Sequence, residues 1–84
     1  MDAVANSPRR GEDLCVSYRR AVLRASLQLY NVTGQRVAKV DEDSGNNPCV
    51  KTGDIAPSVY FLKSEATLDD GSRVEKMHKV LIRP

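Results

Sequence analysis

Between residues 23 and 30 the chain alternates strictly. Leu23, Ala25, Leu27 and Leu29 fall on one side, and Arg24, Ser26, Gln28 and Tyr30 on the other. A period of two is the signature of a strand with one face buried and one wet, because successive side chains of a strand point to opposite faces. Arg, Ala and Leu are good helix formers, so "RRAVLRASLQL" could form a helix on propensity alone. The alternation and the turn that follows it decide for a strand over residues 21–32. "NVTGQ" supplies that turn, with Asn31 able to bond its own backbone and Gly34 free to take positive φ. "QRVAKVD" is then the return strand of a hairpin.

Punctuation continues at similar spacing. "DLCVSY" (13–18) and "CVKTGDIA" (49–56) read as short strands, and "SVYFLKSEATL" (58–68) as a long one. "DDGS" holds the Asp-Gly pair of a tight hairpin turn around Gly71 and leads into "RVEKMHKVLIRP". In that last run Val74, Lys76, His78, Val80 and Ile82 share one face, and the apolar weight rises toward the end, which predicts that its terminal half is the buried half. Residues 1–12, polar and broken by Pro8 and Gly11, read as a flexible tail. The expected fold is all-β: a small antiparallel immunoglobulin-like β-sandwich of six or seven strands over residues 13–84.

Composition limits function. With 84 residues and a net charge of +2, the chain makes one thin-cored domain without the dense basic stripe of a nucleic-acid binder. His78 is the single histidine and sits in a strand, and no nucleophile elbow, P-loop or dinucleotide fingerprint is present. The expectation is no enzyme, no cofactor and no metal site. "DEDSGNNP" (41–48) is acidic but lacks the ligand spacing of a calcium loop and reads as a solvated loop. "NVT" matches the N-glycosylation pattern and reads as turn chemistry. Tyr18, Tyr30, Tyr60 and Phe61 read as packing residues ahead of a sugar-stacking platform. Cys15 and Cys49 fit no zinc pattern; buried free thiols and a disulfide both suit them.

Four segments in order resemble the C-terminal sorting domains of the type IX secretion system. "NSPRRGEDLCVS" is similar to that family's opening run and "LQLYNVTGQRVAKV" to its hairpin. "DIAPSVYFLKSEA" resembles its Val-Tyr strand and "KVLIRP" its closing strand. Two positions depart from the pattern: Ser58 stands where the family has glycine before Val-Tyr, and Ser7 splits the opening Asn-Pro. The resemblance implies an export address for a cargo protein. Such a domain crosses the periplasm, is recognised by the outer-membrane translocon and sortase, and ends at the cell surface or is secreted. It implies recognition through Lys79, Val80, Leu81, Ile82 and Arg83, with Tyr30, Asn31, Gly34, Val59, Tyr60 and Gly71 as structural positions. An oxidising periplasm would permit a Cys15–Cys49 bridge. The alternative expectation is an immunoglobulin-like adhesive or carbohydrate-binding module. A homodimer by edge-strand pairing is a further expectation, and nucleic acid is not an expected partner.

Overall fold

The computed structural model describes residues 3–42 and 47–84; the middle half of the acidic 41–48 segment therefore lies outside the described residues. Its described part is all-β. Seven strands follow in chain order: β1 (Ala3–Ala5), β2 (Leu14–Tyr18), β3 (Val22–Tyr30), β4 (Arg36–Glu42), β5 (Cys49–Val50), β6 (Ser58–Leu68) and β7 (Arg73–Ile82). They form two antiparallel sheets, one ordered β1-β2-β5 and the other β4-β3-β6-β7.

Alternation explains the core. Ala25, Leu27 and Leu29 of β3 point inward, and β6 contributes Tyr60, Leu62, Ala66 and Leu68 from every second position. With Leu14 and Val16 of β2 and Val80 and Ile82 of β7 they make one buried cluster between the sheets. The inward positions of β7 change from half-buried Val74, Lys76 and His78 to buried Val80 and Ile82, the gradient expected from the sequence. Alternation fails at two bulges. One shifts the β3–β4 register between Leu29 and Tyr30, and the other shifts β3–β6 between Val22 and Arg24. The second bulge leaves Leu23 exposed, although the simple alternation groups it with the inward leucines.

The turns use the residues that the backbone demands. Gly34 and Gly71 have φ of 88° and 86°, a region costly for any side chain with a Cβ. Asn31 Oδ1 accepts from the Thr33 and Gln35 amides at 3.1 and 3.0 Å and from the Thr33 hydroxyl. Asp70 Oδ1 accepts from both the Ser72 amide and its hydroxyl. Those Ser72 bonds, with Arg20 beside the carboxylate, hold the Asp70 carboxyl well below the ordinary range. Ser58 has no positive φ, since no described non-glycine residue does; it opens β6 opposite Ile82 as ordinary strand.

The first twelve residues differ from the expected flexible tail. Within them β1 pairs with β2, and Ala3 is buried. Further on, the Arg83 amide donates to Pro8 O at 2.9 Å and Arg83 O accepts from the Arg10 amide at 2.7 Å. A three-residue strand is too short to show a period, so its order is visible only through its partners. The 49–56 segment is also less regular than expected, with only Cys49 and Val50 as strand.

Cys15 and Cys49 are directly opposite in the β2–β5 register and are joined by a disulfide. β5 pairs with β2 at two positions, and the Val16 amide donates to Pro48 O beside it, so the disulfide reinforces a short ladder and anchors the segment that inserts Val50 and Thr52 into the core. Thr52, fully buried, donates to Glu12 O at 2.5 Å and accepts from the Gly11 amide at 3.2 Å. The bridge spans 34 positions, for which loop-closure entropy gives a stabilisation of about 3–4 kcal/mol. Replacing both cysteines by serine is expected to lower unfolding free energy by about that amount, measured by urea denaturation.

Candidate functional site

Three places concentrate chemistry: a polar cluster between the sheets, the outer face of the four-stranded sheet, and two shallow recesses on that face.

The polar cluster lies on the inward side of β6 and β7. Ser64 is fully buried and opposite Lys76. Its hydroxyl donates to Lys76 O at 3.3 Å and lies 2.9 Å from His78 Nε2, either partner being able to donate according to tautomer. From the facing sheet Tyr18 brings a buried hydroxyl that has no formed hydrogen bond, with Ser64 as a polar neighbour. Burial pushes the Tyr18 phenol up, and the Ser64 hydroxyl opposes the shift. Lys76 reaches past the cluster to Ala3 O at 3.4 Å. Burial first, and then the Lys76 charge, pull His78 below its ordinary value. The sequence shows His78 as a strand residue; its Ser64 partner, fourteen positions away, is set by the β6–β7 register. Among the described residues no carboxylate is bonded to His78, so there the pair lacks the orienting third member of a nucleophilic triad.

On the outer face the register aligns Tyr30 of β3, Phe61 of β6 and Lys79 of β7 in one row across the sheet. Val59 and Leu81 form the neighbouring pair toward one end, and Lys63 and Met77 the pair toward the other. Leu81 and Met77 are 45% and 56% exposed, so open apolar side chains flank the Lys79 row on both sides. Arg36 lies opposite Tyr30 across the β4 bulge. Next along the sheet comes a band of paired charges: Lys39 pairs with Asp41, Lys63 with Glu65 and Glu75, and Arg73 with Glu65. The Glu65 hydrogen bond and charge raise the Lys63 pKa, with Glu75 adding to the effect. Tyr30 donates to Gln28 Oε1 at 2.7 Å, so the ring is fixed along the face. The recesses, of about 80 and 190 Å³, sit near Arg24 and Thr67, below the ~300 Å³ of ordinary small-molecule sites.

The residues expected to be read together, 79–83, are divided by the strand. Lys79 and Leu81 face outward, whereas Val80 and Ile82 are 3% and 0% exposed and belong to the core. The exposed Arg83 donates from its guanidinium to Ser7 O at 3.1 Å. A partner on the surface reaches at most alternate members of this set. Tyr60 is buried and donates to Ala56 O at 2.6 Å, and Val59 is half-buried on the outer face.

No protein-family model and no curated protein matches the chain. Among solved structures it is similar to CopC from Methylosinus trichosporium OB3b. The TM-score is 0.74 at 18% identity, over 100% of this chain and 91% of that one. The likeness establishes the class of fold, a CopC-like β-sandwich. It also corrects the reading as a type IX export signal: the likeness over the whole chain lies with CopC and not with a secretion address.

A copper ion asks for a gathering of nitrogen, sulfur or carboxylate donors. Among the described residues no three His, Cys, Asp or Glu side chains come together. Both cysteines are consumed by the disulfide, and His78 Nε2 is engaged by Ser64. The described residues do not fit the ion.

The neutral form of His78 is the one that the fold favours. Its contribution to stability is therefore present above the unfolded value of about 6.5 and is lost as pH falls through the depressed folded value. Stability measured by urea denaturation is expected to fall as the pH is lowered through and below about 6.5. The decline should be shallower in His78→Gln, which keeps a polar partner for Ser64.

Proposed function

We propose that this chain is a non-catalytic binding module of an oxidising compartment, and that it engages an acidic protein surface through the Tyr30–Phe61–Lys79 end of its outer sheet face. The observation that carries the reading is the make-up of that end. Aromatic and aliphatic side chains share it with Arg36 and Lys79, and Glu65 and Glu75 stand four residues further along β6 and β7. Aromatic and apolar contacts supply buried area at interfaces, and positive rims select acidic partners and speed their encounter. The compartment follows from the Cys15–Cys49 bridge, since disulfides persist where thiols are not kept reduced.

The test uses an oligo-glutamate peptide as probe, titrated into the chain and followed by amide chemical shifts. Shifts are expected around Tyr30, Phe61 and Lys79. They should weaken about tenfold in Arg36→Glu/Lys79→Glu and fade as salt shortens the Debye length. Shifts elsewhere, or none, sink this reading.

The likeness to CopC favours a second reading, metal handling, which the donor set opposes. Cu(II) titrated into the oxidised chain is expected to show no stoichiometric complex with imidazole coupling in its electron paramagnetic resonance spectrum. A one-to-one complex whose nitrogen coupling disappears in His78→Gln would establish the metal reading instead.

A further inference from the structure

The two edges of the four-stranded sheet are finished differently. At β7 the N-terminal segment closes the end of the edge: Arg83 gives its amide to Pro8 O and its carbonyl to the Arg10 amide, a parallel bridge between Arg9 and Arg83. β4 is the other edge: among the described strands it is hydrogen-bonded to β3 alone. Its seven residues, "RVAKVDE", contain neither proline nor glycine. Natural edges are usually blunted, because their outward N–H and C=O groups are a template for another strand.

The direction of those groups can be worked out. Asn31 donates its amide to Gln35 O and accepts from the Gly34 amide, so its backbone groups face β4. Backbone direction alternates along a strand, so Leu29, Leu27 and Ala25 also face β4, where they meet Ala38, Val40 and Glu42. The N–H and C=O of Lys39 and Asp41 therefore point out of the sheet edge. Their side chains stand on the outer face, 46% and 64% exposed, and form an ion pair at 3.7 Å along the strand.

We propose that β4 is a self-pairing edge, joining two copies of this chain antiparallel about a two-fold axis at Val40. In this register Lys39 of each copy lies opposite Asp41 of the other. The outward backbone groups of both residues bond in pairs, and the two Val40 side chains meet on the inner side. The charge order selects the register: an axis at Lys39 would set the two lysines directly opposite, which is unfavourable. The contact is isologous and closes at two copies. One strand buries less than the ~1,200–2,000 Å² of a standard interface, so the dimer is weak and its population follows concentration. This association is separate from the acidic-partner face and stands or falls without it.

Sedimentation velocity on the full chain tests it, across a series reaching about 1 mM. The parent is expected to shift from monomer to dimer. Lys39→Asp and Asp41→Lys each replace two opposite-charge pairs by like-charge pairs and should weaken dimerisation about tenfold or more. An equimolar mixture of the two variants restores both attractive pairs and should dimerise like the parent. So should the double variant Lys39→Asp/Asp41→Lys, which separates register from loss of fold. A parent that stays monomeric throughout, single variants that dimerise undiminished, or a mixture that fails to associate would each overturn the proposal.

Discussion

Everything in this small protein depends on the contact between two sheets of unequal strength. Leu27, Leu29 and Leu62 of the larger sheet share one buried cluster with Leu14 and Val16 of the smaller. The larger sheet has long, well-registered strands, while the smaller consists of strands of three, five and two residues. Such short strands make few ladder bonds and cannot hold themselves in place. They are kept against the core by ties from elsewhere: the Cys15–Cys49 bridge, Thr52 between Gly11 and Glu12, and the segment around Arg9 bonded to Arg83. A domain of this size buries too little surface to do without such ties.

This division of labour leaves the outer face of the larger sheet available for binding. Its inner positions are committed to the core, and the ladder among β3, β6 and β7 fixes the face as a rigid grid. Side chains on neighbouring strands then meet in rows set by register, so chemistry distant in sequence becomes one surface. Tyr30, Phe61 and Lys79 become neighbours in this way. The same ladder places Ser64 against His78 on the inner side, where burial makes the pair a matter of stability. CopC shares the fold at 18% identity, and among the described residues this chain brings no three His, Cys, Asp or Glu side chains together. A shared sandwich therefore says little about what is bound, because function resides in the particular side chains a fold presents.

Much of the strand pattern was legible. The long strands β3, β6 and β7 show periods that survive over eight or more residues, and their turns carry Gly34 and Gly71 at the positions of positive φ. What escaped had no local signal. β1 is three residues long, and the bulge that turns Leu23 outward depends on a partner strand. The family resemblance was read from motifs that build hairpins. Such motifs report turn geometry and alternation, and unrelated sandwiches need both.

The sequence by itself determined the all-β class, the two tight hairpins, and which face of each long strand is apolar, because these follow from side-chain period and backbone freedom within a few residues. Only the tertiary structure decided that Cys15 meets Cys49, that the first residues fasten to the last strand, and that Val80 and Ile82 are beyond a partner's reach while Leu81 is not. It also decided which edge stays open, at Lys39 and Asp41. These are relations between residues far apart in the chain, and they exist only when the register of each ladder and the closure of the two sheets are settled together.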